Sequence, residues 1–241
     1  MKRCLGVAVG ALLLTACHAP LRPSMPASTP APAPAAQAPT PGVAIEAPAA
    51  APSVADLAAA VAADARRADR DNDSKTRASL ADAAGRDADA CLARAPQAAA
   101  CLYSRALSLG LAARSHPAQA GELLKRMLEA LSAADAADPE YDEAGPARVR
   151  ALVLARSPGW PLGPGDPEAA VTAARRAVSL RPQFPPNALA LGEALAKIGD
   201  ARAAGDSFAR ARDLALALPA SDDREDWLRD AQRGLLKEQA Q

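Results

Sequence analysis

Cysteine and histidine are the residues of this chain whose chemistry could support catalysis or metal binding, and they are few: four cysteines and two histidines. A cysteine nucleophile needs a nearby histidine and a third group that orients the imidazole. His116 lies in a Ser-His-Pro break, which is typical of a solvated turn. A zinc site needs about four ligands, whereas Cys91, Cys101 and His116 provide only three in the folded part. We therefore expect no catalytic residue, no metal site, no cofactor and no enzymatic activity.

An acidic run over residues 138–143 could serve as an acid–base pair or a cation site. Carboxylates at the start of a helix stabilise the positive end of its dipole, and we predict that structural role for this run. No glycine-rich phosphate loop follows a strand, because the sequence predicts no strands.

The N-terminus has the pattern of a signal peptide. Lys2 and Arg3 form a basic start, an apolar run follows from Leu5 to Leu14, and Leu-Thr-Ala-Cys closes it at Cys17. That run is too short for a stable membrane anchor, which needs roughly 20 residues. Small residues ahead of a cysteine resemble the lipobox of bacterial lipoproteins, which implies a signal peptide over 1–16 and acylation of Cys17, for example with palmitate. An ordinary secretory signal and an uncleaved anchor are the alternatives.

A low-complexity segment follows and is predicted to be a disordered linker, residues 17–52. Ten of the 22 prolines lie in residues 19–52, where Arg22 and Glu46 are the only charged residues. Such a segment has too little large apolar surface to repay the entropy of ordering. The remaining residues, 53–241, suffice for one domain. Without Lys2 and Arg3 the chain keeps 26 basic and 28 acidic residues, a balance that gives no electrostatic footprint for nucleic acid.

Cys91 and Cys101 lie five residues to either side of Pro96, on the two arms of a predicted helical hairpin. Equal distance from the turn can bring the two Cβ atoms together. The oxidising compartment that the signal peptide indicates favours a disulfide. Two buried free thiols are the alternative.

The folded part is predicted to be all-α, since alanine, leucine and arginine dominate and apolar residues recur at helical spacing. Aspartate, glycine and proline divide it into segments. Asp166 and Pro167 are suited to a helix start, and Asp222 with Glu225 to a capping pair. The positions of these helix-breaking residues predict helices over residues 53–70, 74–94, 97–114, 118–137, 141–156, 167–180, 186–198, 201–218 and 222–239.

Two of the predicted helices, 167–180 and 201–218, are related by an internal repeat of 34 residues, because Gly165, Ala170 and Ala177 recur as Gly199, Ala204 and Ala211. Earlier in the chain the repeat is longer. Pro96, Pro139 and Pro182 follow one another at intervals of 43 residues, and a small residue stands five positions before each of them. The earlier repeat units are therefore predicted to be longer than 34 residues. The pattern matches that of tetratricopeptide hairpins, in which small residues allow two helices to cross closely. The residues assigned to this packing are Gly165, Ala170, Ala177, Leu191, Gly192, Gly199, Ala204, Phe208 and Ala211.

Three stretches carry a more specific resemblance: residues 145–148 (Gly-Pro-Ala-Arg), 158–166 (Pro-Gly-Trp-Pro-Leu-Gly-Pro-Gly-Asp) and 185–187 (Pro-Pro-Asn). Together they resemble the TatT family, the T component associated with periplasmic TRAP-type transporters, over most of residues 75–215. The resemblance implies a periplasmic lipoprotein of degenerate tetratricopeptide-like hairpins, trimeric, that engages a solute-binding protein. The chain departs from the family in being short, alanine-rich and poor in aromatic residues, so no ligand residue is carried over.

Trp160 stands between Pro158 and Pro161 and therefore cannot lie inside a helix. We predict that it packs against helix 141–156 or the adjoining hairpin, with an aromatic anchor for a partner as the alternative.

The sequence therefore predicts a lipid-anchored helical-hairpin solenoid that binds protein and performs no chemistry. Its predicted role is that of an accessory component of a TRAP-type solute transport system. A general scaffold for envelope or secretion complexes is the alternative. His18, where an inner-membrane lipoprotein would carry aspartate, favours the outer membrane by resemblance to Gram-negative lipoproteins.

Overall fold

The computed structural model describes residues 51–239, which belong to one compact unit. The predicted signal peptide, the lipidation site Cys17 and nearly all of the predicted linker lie outside these residues, so those assignments remain predictions. None of the helices in the described part combines the length and apolar content needed to cross a bilayer.

Residues 51–239 fold into nine α-helices with no β-strand among them, which confirms the all-α prediction. A short 3-10 helix, Pro117–Gln119, precedes the fourth α-helix. The helices are α1 Val54–Arg70, α2 Ser74–Arg94, α3 Ala99–Ser115, α4 Ala120–Ala137, α5 Tyr141–Arg156, α6 Pro167–Leu180, α7 Pro185–Lys197, α8 Ala201–Leu216 and α9 Asp222–Gln239.

Polar side chains at the breakers start many of these helices. Ser53 and Asp56 form a reciprocal capping box at α1, and Asp73, Asp166 and Asp200 each accept a hydrogen bond from a backbone N–H in the first turn of α2, α6 and α8. At α9 the predicted Asp222 cap is wrong. The hydroxyl of the preceding residue, Ser221, accepts from the backbone N–H of Arg224 instead.

The helices stack as successive antiparallel hairpins. Each helix packs on the next, and the odd-numbered helices also pack on one another in the order α1, α3, α5, α7, α9. The even-numbered helices of the described part are farther apart, and α4 and α6 meet through the ion pair of 3.2 Å between Asp135 and Arg176. The result is two layers, with the odd helices forming an inner row. This is a helical-hairpin solenoid, in which each hairpin buries its apolar face on its neighbours.

Every even helix from α2 to α8 buries three residues at positions i, i+4 and i+7, and the successive sets are displaced by 43, 43 and 34 residues. All twelve side chains are buried. The longer early units and the shorter last unit therefore have equivalent packing positions. These are Ala84, Ala88, Cys91; Met127, Leu131, Ala134; Ala170, Ala174, Ala177; and Ala204, Phe208, Ala211.

Phe208 occupies a slot between two glycines. A Cβ at Gly192 of α7 would lie 2.7 Å from the Phe208 ring, and one at Gly234 of α9 would lie 2.6 Å from it. Leu191 beside this slot is half-buried and packs against the same cluster. The ring therefore joins three helices, and both flanking positions need glycine.

Gly199 and Gly165 do not line a helix crossing, contrary to the packing predicted for them. Gly199 lies in the turn between α7 and α8 with φ +82°, a conformation that favours glycine, and a Cβ there would meet nothing within 4 Å. Gly165 lies in the loop before α6. The residues recur with the repeat because both positions are turns that end just before a helix.

Candidate partner-binding surface

The loop between α5 and α6, residues 157–166, is held by its own backbone. The N–H of Gly165 donates to the carbonyl of Pro158 at 2.9 Å, and the N–H of Asp166 donates to that of Leu154 in α5 at 3.1 Å. A Cβ on Gly165 would lie 2.2 Å from the carbonyl oxygen of Ser157, so only glycine fits there. With prolines at 158, 161 and 164, the loop has little freedom left to lose.

Trp160 projects from this loop into solvent. Trp160 is 90% exposed, and Leu162 is 78% exposed. The prediction that Trp160 packs against α5 or the adjoining hairpin is therefore wrong. The physical reason is that hydrogen bonds and close glycine contacts fix the loop, which leaves its large side chains free of any packing role. The partner-facing alternative agrees with this exposure.

The charged residues that flank the loop are already paired within the molecule. Arg156 makes two hydrogen bonds to Glu193, of 2.8 and 2.6 Å. The carboxylate of Asp166 accepts from the N–H of Ala169 at 2.9 Å. Residues 157–165 contain no charge, so the loop presents an uncharged apolar surface.

The helix that leads into this loop begins at a left-handed turn. Asp142, Glu143 and Ala144 have φ of 50°, 55° and 62°, and regular right-handed helix starts only at Gly145. Each such residue costs roughly 1–2 kcal/mol. A Cβ at Gly145 would lie 2.8 Å from the phenol oxygen of Tyr103, which explains the glycine. Surrounding contacts must offset this cost.

Arg148 supplies many of those contacts. Its guanidinium is buried, donates to the carbonyl oxygens of Asp142 and Glu143 at 3.0 and 2.9 Å, and forms an ion pair of 2.8 Å with the Asp142 carboxylate. Tyr103 donates to the same carboxylate at 2.9 Å. Burial raises the pKa of the Tyr103 phenol well above its usual range. The acidic run thus binds arginine and tyrosine side chains. Asp142 and Glu143 also lie in the first turn of α5, the position for which the helix-dipole role was predicted.

Asn187 in α7 contacts the same group of residues, the left-handed turn and Arg148. It is 1% exposed, and its side-chain oxygen accepts from Arg148 at 3.3 Å. Its amide donates to the carbonyls of Glu143, Ala177 and Arg181 at 3.1, 3.2 and 3.0 Å. One side chain therefore joins the left-handed turn, the end of α6 and the start of α7, and so fixes the direction in which α5 carries the exposed loop.

Aromatic residues extend this cluster along the inner row of helices. Tyr141 meets Tyr103 edge to face at 5.5 Å, Arg148 lies 5.0 Å above the ring of Phe184, and Phe184 meets Trp227 of α9 at 5.5 Å. Such contacts are worth about 0.5–1.5 kcal/mol each beyond area burial. With Phe208, five of the six aromatic residues therefore stabilise the interior of the solenoid.

Ion pairs connect the first helix to the last across the inner face. Arg70 at the end of α1 contacts Asp223 and Asp226 of α9, both at 2.9 Å. A groove of about 560 Å³ lies among α5, α7, α8 and α9, and both acidic and basic side chains line it, with Leu189 and Phe208 at its floor. The inner face is therefore a mixed-charge surface, unlike the uncharged loop at residues 157–165.

Within residues 51–239, Cys91, Cys101 and His116 do not form a reactive site. Cys91 and Cys101 form a disulfide with Cα atoms 5.2 Å apart. Cys101 lies in the first turn of α3 and His116 follows its last residue, which separates them by roughly 22 Å along the axis. Nowhere in residues 51–239 do three His, Cys, Asp or Glu side chains form a group able to hold a metal ion.

The fold and these contacts define the chain as an all-α protein of stacked helical hairpins with one rigid, exposed tryptophan loop. No protein-family model and no curated protein matches the sequence. The sequence identified Leu162 only as part of a motif, and the same holds for the buried residues Arg148 and Asn187. Their meeting at 3.3 Å gives two of those motifs a shared structural role.

Proposed function

We propose that this protein is a lipid-anchored scaffold of tetratricopeptide-like hairpins that binds a periplasmic protein and performs no chemistry of its own. Its role is that of an accessory component of a TRAP-type solute transport system, and its partner is a solute-binding protein. Acylated Cys17 holds it on the outer membrane, with the helical domain facing the periplasm and assembled as a trimer.

The observation that carries protein binding is the exposure of Trp160 on a preorganised loop. A large aromatic side chain that is 90% exposed contributes nothing to the packing of its own domain. Tryptophan is enriched among the residues that dominate binding energy at protein interfaces. The transport role rests on the resemblance in residues 145–148, 158–166 and 185–187, and the anchor rests on the N-terminal pattern.

Affinity capture of the full chain from an envelope extract tests the partner. The wild type is expected to retain a solute-binding protein, and Trp160→Ala to lose about 90% or more of it, as removal of an interface hot spot predicts. Leu216→Ala is the matched control, since Leu216 is an exposed apolar residue at the end of α8 and lies outside the loop. Equal retention by all three chains, or capture of no solute-binding protein, would refute the transport role.

The anchor has a separate test. Cys17→Ser is expected to move the chain from the membrane fraction to the soluble periplasmic fraction, because acylation requires the thiol. Retention of Cys17→Ser in the membrane fraction would refute lipidation at this residue, whatever the partner is.

A further inference from the structure

We infer that the Trp160 loop inserts into an uncharged, apolar pocket on a folded protein partner. The inference rests on the proposed protein-binding function and specifies the chemistry of the partner's surface. The loop's lack of charge, its rigidity and its size together favour this kind of occupant over a lipid surface, a charged peptide or the same loop of a second copy of the chain.

Charge complementarity is the first argument. Nine consecutive residues, 157–165, carry no charge, and the flanking Arg156 and Asp166 have partners in Glu193 and in the N–H of Ala169. An anionic membrane surface attracts clustered lysine and arginine, and an acidic or basic peptide needs an opposite charge to pair with. The loop offers neither, so the surface it fits is also uncharged.

Rigidity is the second argument. The hydrogen bonds of 2.9 Å at Gly165 and 3.1 Å at Asp166, together with the close approach of Gly165 to Ser157, fix the backbone before any partner arrives. Binding therefore avoids most of the ordering cost that a flexible loop would incur. A fixed backbone suits a preformed pocket of matching shape.

Size is the third argument. A tryptophan side chain buries about 150–250 Å², whereas a stable interface buries about 800 Å² on each partner. Two loops meeting each other would fall short of that area, so a loop-to-loop contact between two copies is not the occupant. The carbonyl oxygen of Leu162 lies 3.5 Å from where a Cβ would stand at Gly121 in α4. The start of α4, where Glu122 is exposed, therefore borders the loop, and the uncharged contact surface is confined to residues 157–165.

The test begins with a photocrosslinking residue at position 160 of the full chain, and at position 216 as control. The protein crosslinked at 160 is purified, and its affinity for the full chain is measured at about 50 and about 500 mM salt. We expect Trp160→Ala to weaken affinity by about 30-fold or more, Leu216→Ala to leave it unchanged, and the salt change to alter it by less than about threefold.

Fluorescence of the full-length Trp227→Phe variant provides the second readout, since Trp160 is then the only tryptophan. We expect its emission to shift to shorter wavelength with the purified partner. We expect no shift with vesicles of phosphatidylethanolamine and phosphatidylglycerol. Circular dichroism identical to that of the wild type checks that the variant is folded.

Each contrary result has a distinct meaning. A loss of affinity of about tenfold or more at the higher salt would show a charged pocket, and a shift with vesicles would show a lipid surface. Either result overturns the inference. Crosslinks at 216 and none at 160 would overturn it while leaving the scaffold function intact, and the absence of any protein crosslink at both positions would overturn the scaffold function as well.

Discussion

Replacing Asn187 by alanine should destabilise the domain more than replacing any serine, threonine or glutamine of residues 51–239 by alanine. The side chain is 1% exposed and makes four polar contacts: its oxygen accepts from Arg148, and its two amide hydrogens reach three carbonyls, so that one hydrogen is shared between two of them. Alanine removes all four and leaves a small cavity among the left-handed turn, the end of α6 and the start of α7.

The magnitude follows from those contacts. A net contribution of about 1 kcal/mol for each bond gives a loss of about 3–4 kcal/mol. Two of the abandoned carbonyls keep another partner, since Ala177 accepts from the N–H of Arg181 at 3.0 Å and Glu143 accepts from Arg148 at 2.9 Å. The loss of unfolding free energy should therefore stay at about 3–4 kcal/mol, the sum of the individual bonds. It should not rise further, because few buried carbonyls are left without a hydrogen-bond donor. For a domain of this size the melting temperature falls by about 10 °C.

Urea denaturation followed by circular dichroism, with thermal melts alongside, measures the effect. The matched control is Asn72→Ala, because Asn72 is the other asparagine of the chain and is exposed between α1 and α2. Asn72→Ala should change stability by less than about 0.5 kcal/mol. If Asn187→Ala lost under about 1 kcal/mol, the left-handed turn would not depend on this cluster, and our account of how α5 is oriented would be wrong.

Three further predictions concern the same domain. Reducing the disulfide, or replacing Cys91 and Cys101 by alanine, should cost about 2.5–3 kcal/mol through the loop entropy of a 10-residue separation, measured by urea denaturation. Gly192→Ala should cost about 1–3 kcal/mol by overpacking, whereas Gly205→Ala, with nothing within 4 Å of its Cβ, should be neutral or stabilising by up to about 1 kcal/mol; thermal melts of both decide. Burial raises the pKa of Tyr103. The stability gained by keeping its phenol neutral is therefore complete below about pH 10, the unfolded value, and is lost as the pH rises through the folded value. Tyr103→Phe should lose stability less steeply than the wild type between about pH 10 and pH 12 in urea denaturation, and equal slopes would contradict this assignment.

The sequence predicted the helices well because many of their boundaries have a local cause. Asp73, Asp166 and Asp200 each cap a first turn, and a cap acts within three residues of its own position. Buried alanines such as Ala84 and Ala170 recur at helical spacing, so their burial also follows from a local pattern. Local rules of this kind suffice for a solenoid, in which each unit contacts its neighbours.

The left-handed turn could not be predicted in the same way. Asp142, Glu143 and Ala144 are ordinary residues for a first helical turn. Aspartate visits positive φ as a single residue, but nothing in these residue types favours three such residues in a row. Their conformation depends on Arg148 and on Asn187, which is 44 residues from Glu143 along the chain. Gly145-Pro146 was the available signal, because proline is common in the first turn of a helix and this dipeptide marks where the regular helix begins.

The exposure of Trp160 was mispredicted because large apolar side chains are usually buried. The loop around it is fixed by backbone hydrogen bonds and by the space that Gly165 leaves free, and neither depends on the tryptophan. An aromatic residue among several prolines and glycines, with no charge over nine positions, is the pattern that could have indicated an exposed anchor.

The contacts of Arg70 with Asp223 and Asp226 limit how this protein can evolve. The two ends of the array meet although about 150 residues separate them. Duplicating or deleting one hairpin would carry α9 past or short of α1 and break this contact, whereas an open-ended array would tolerate either change. The contact therefore favours the present number of hairpins, but only weakly, because half-exposed ion pairs contribute little to stability.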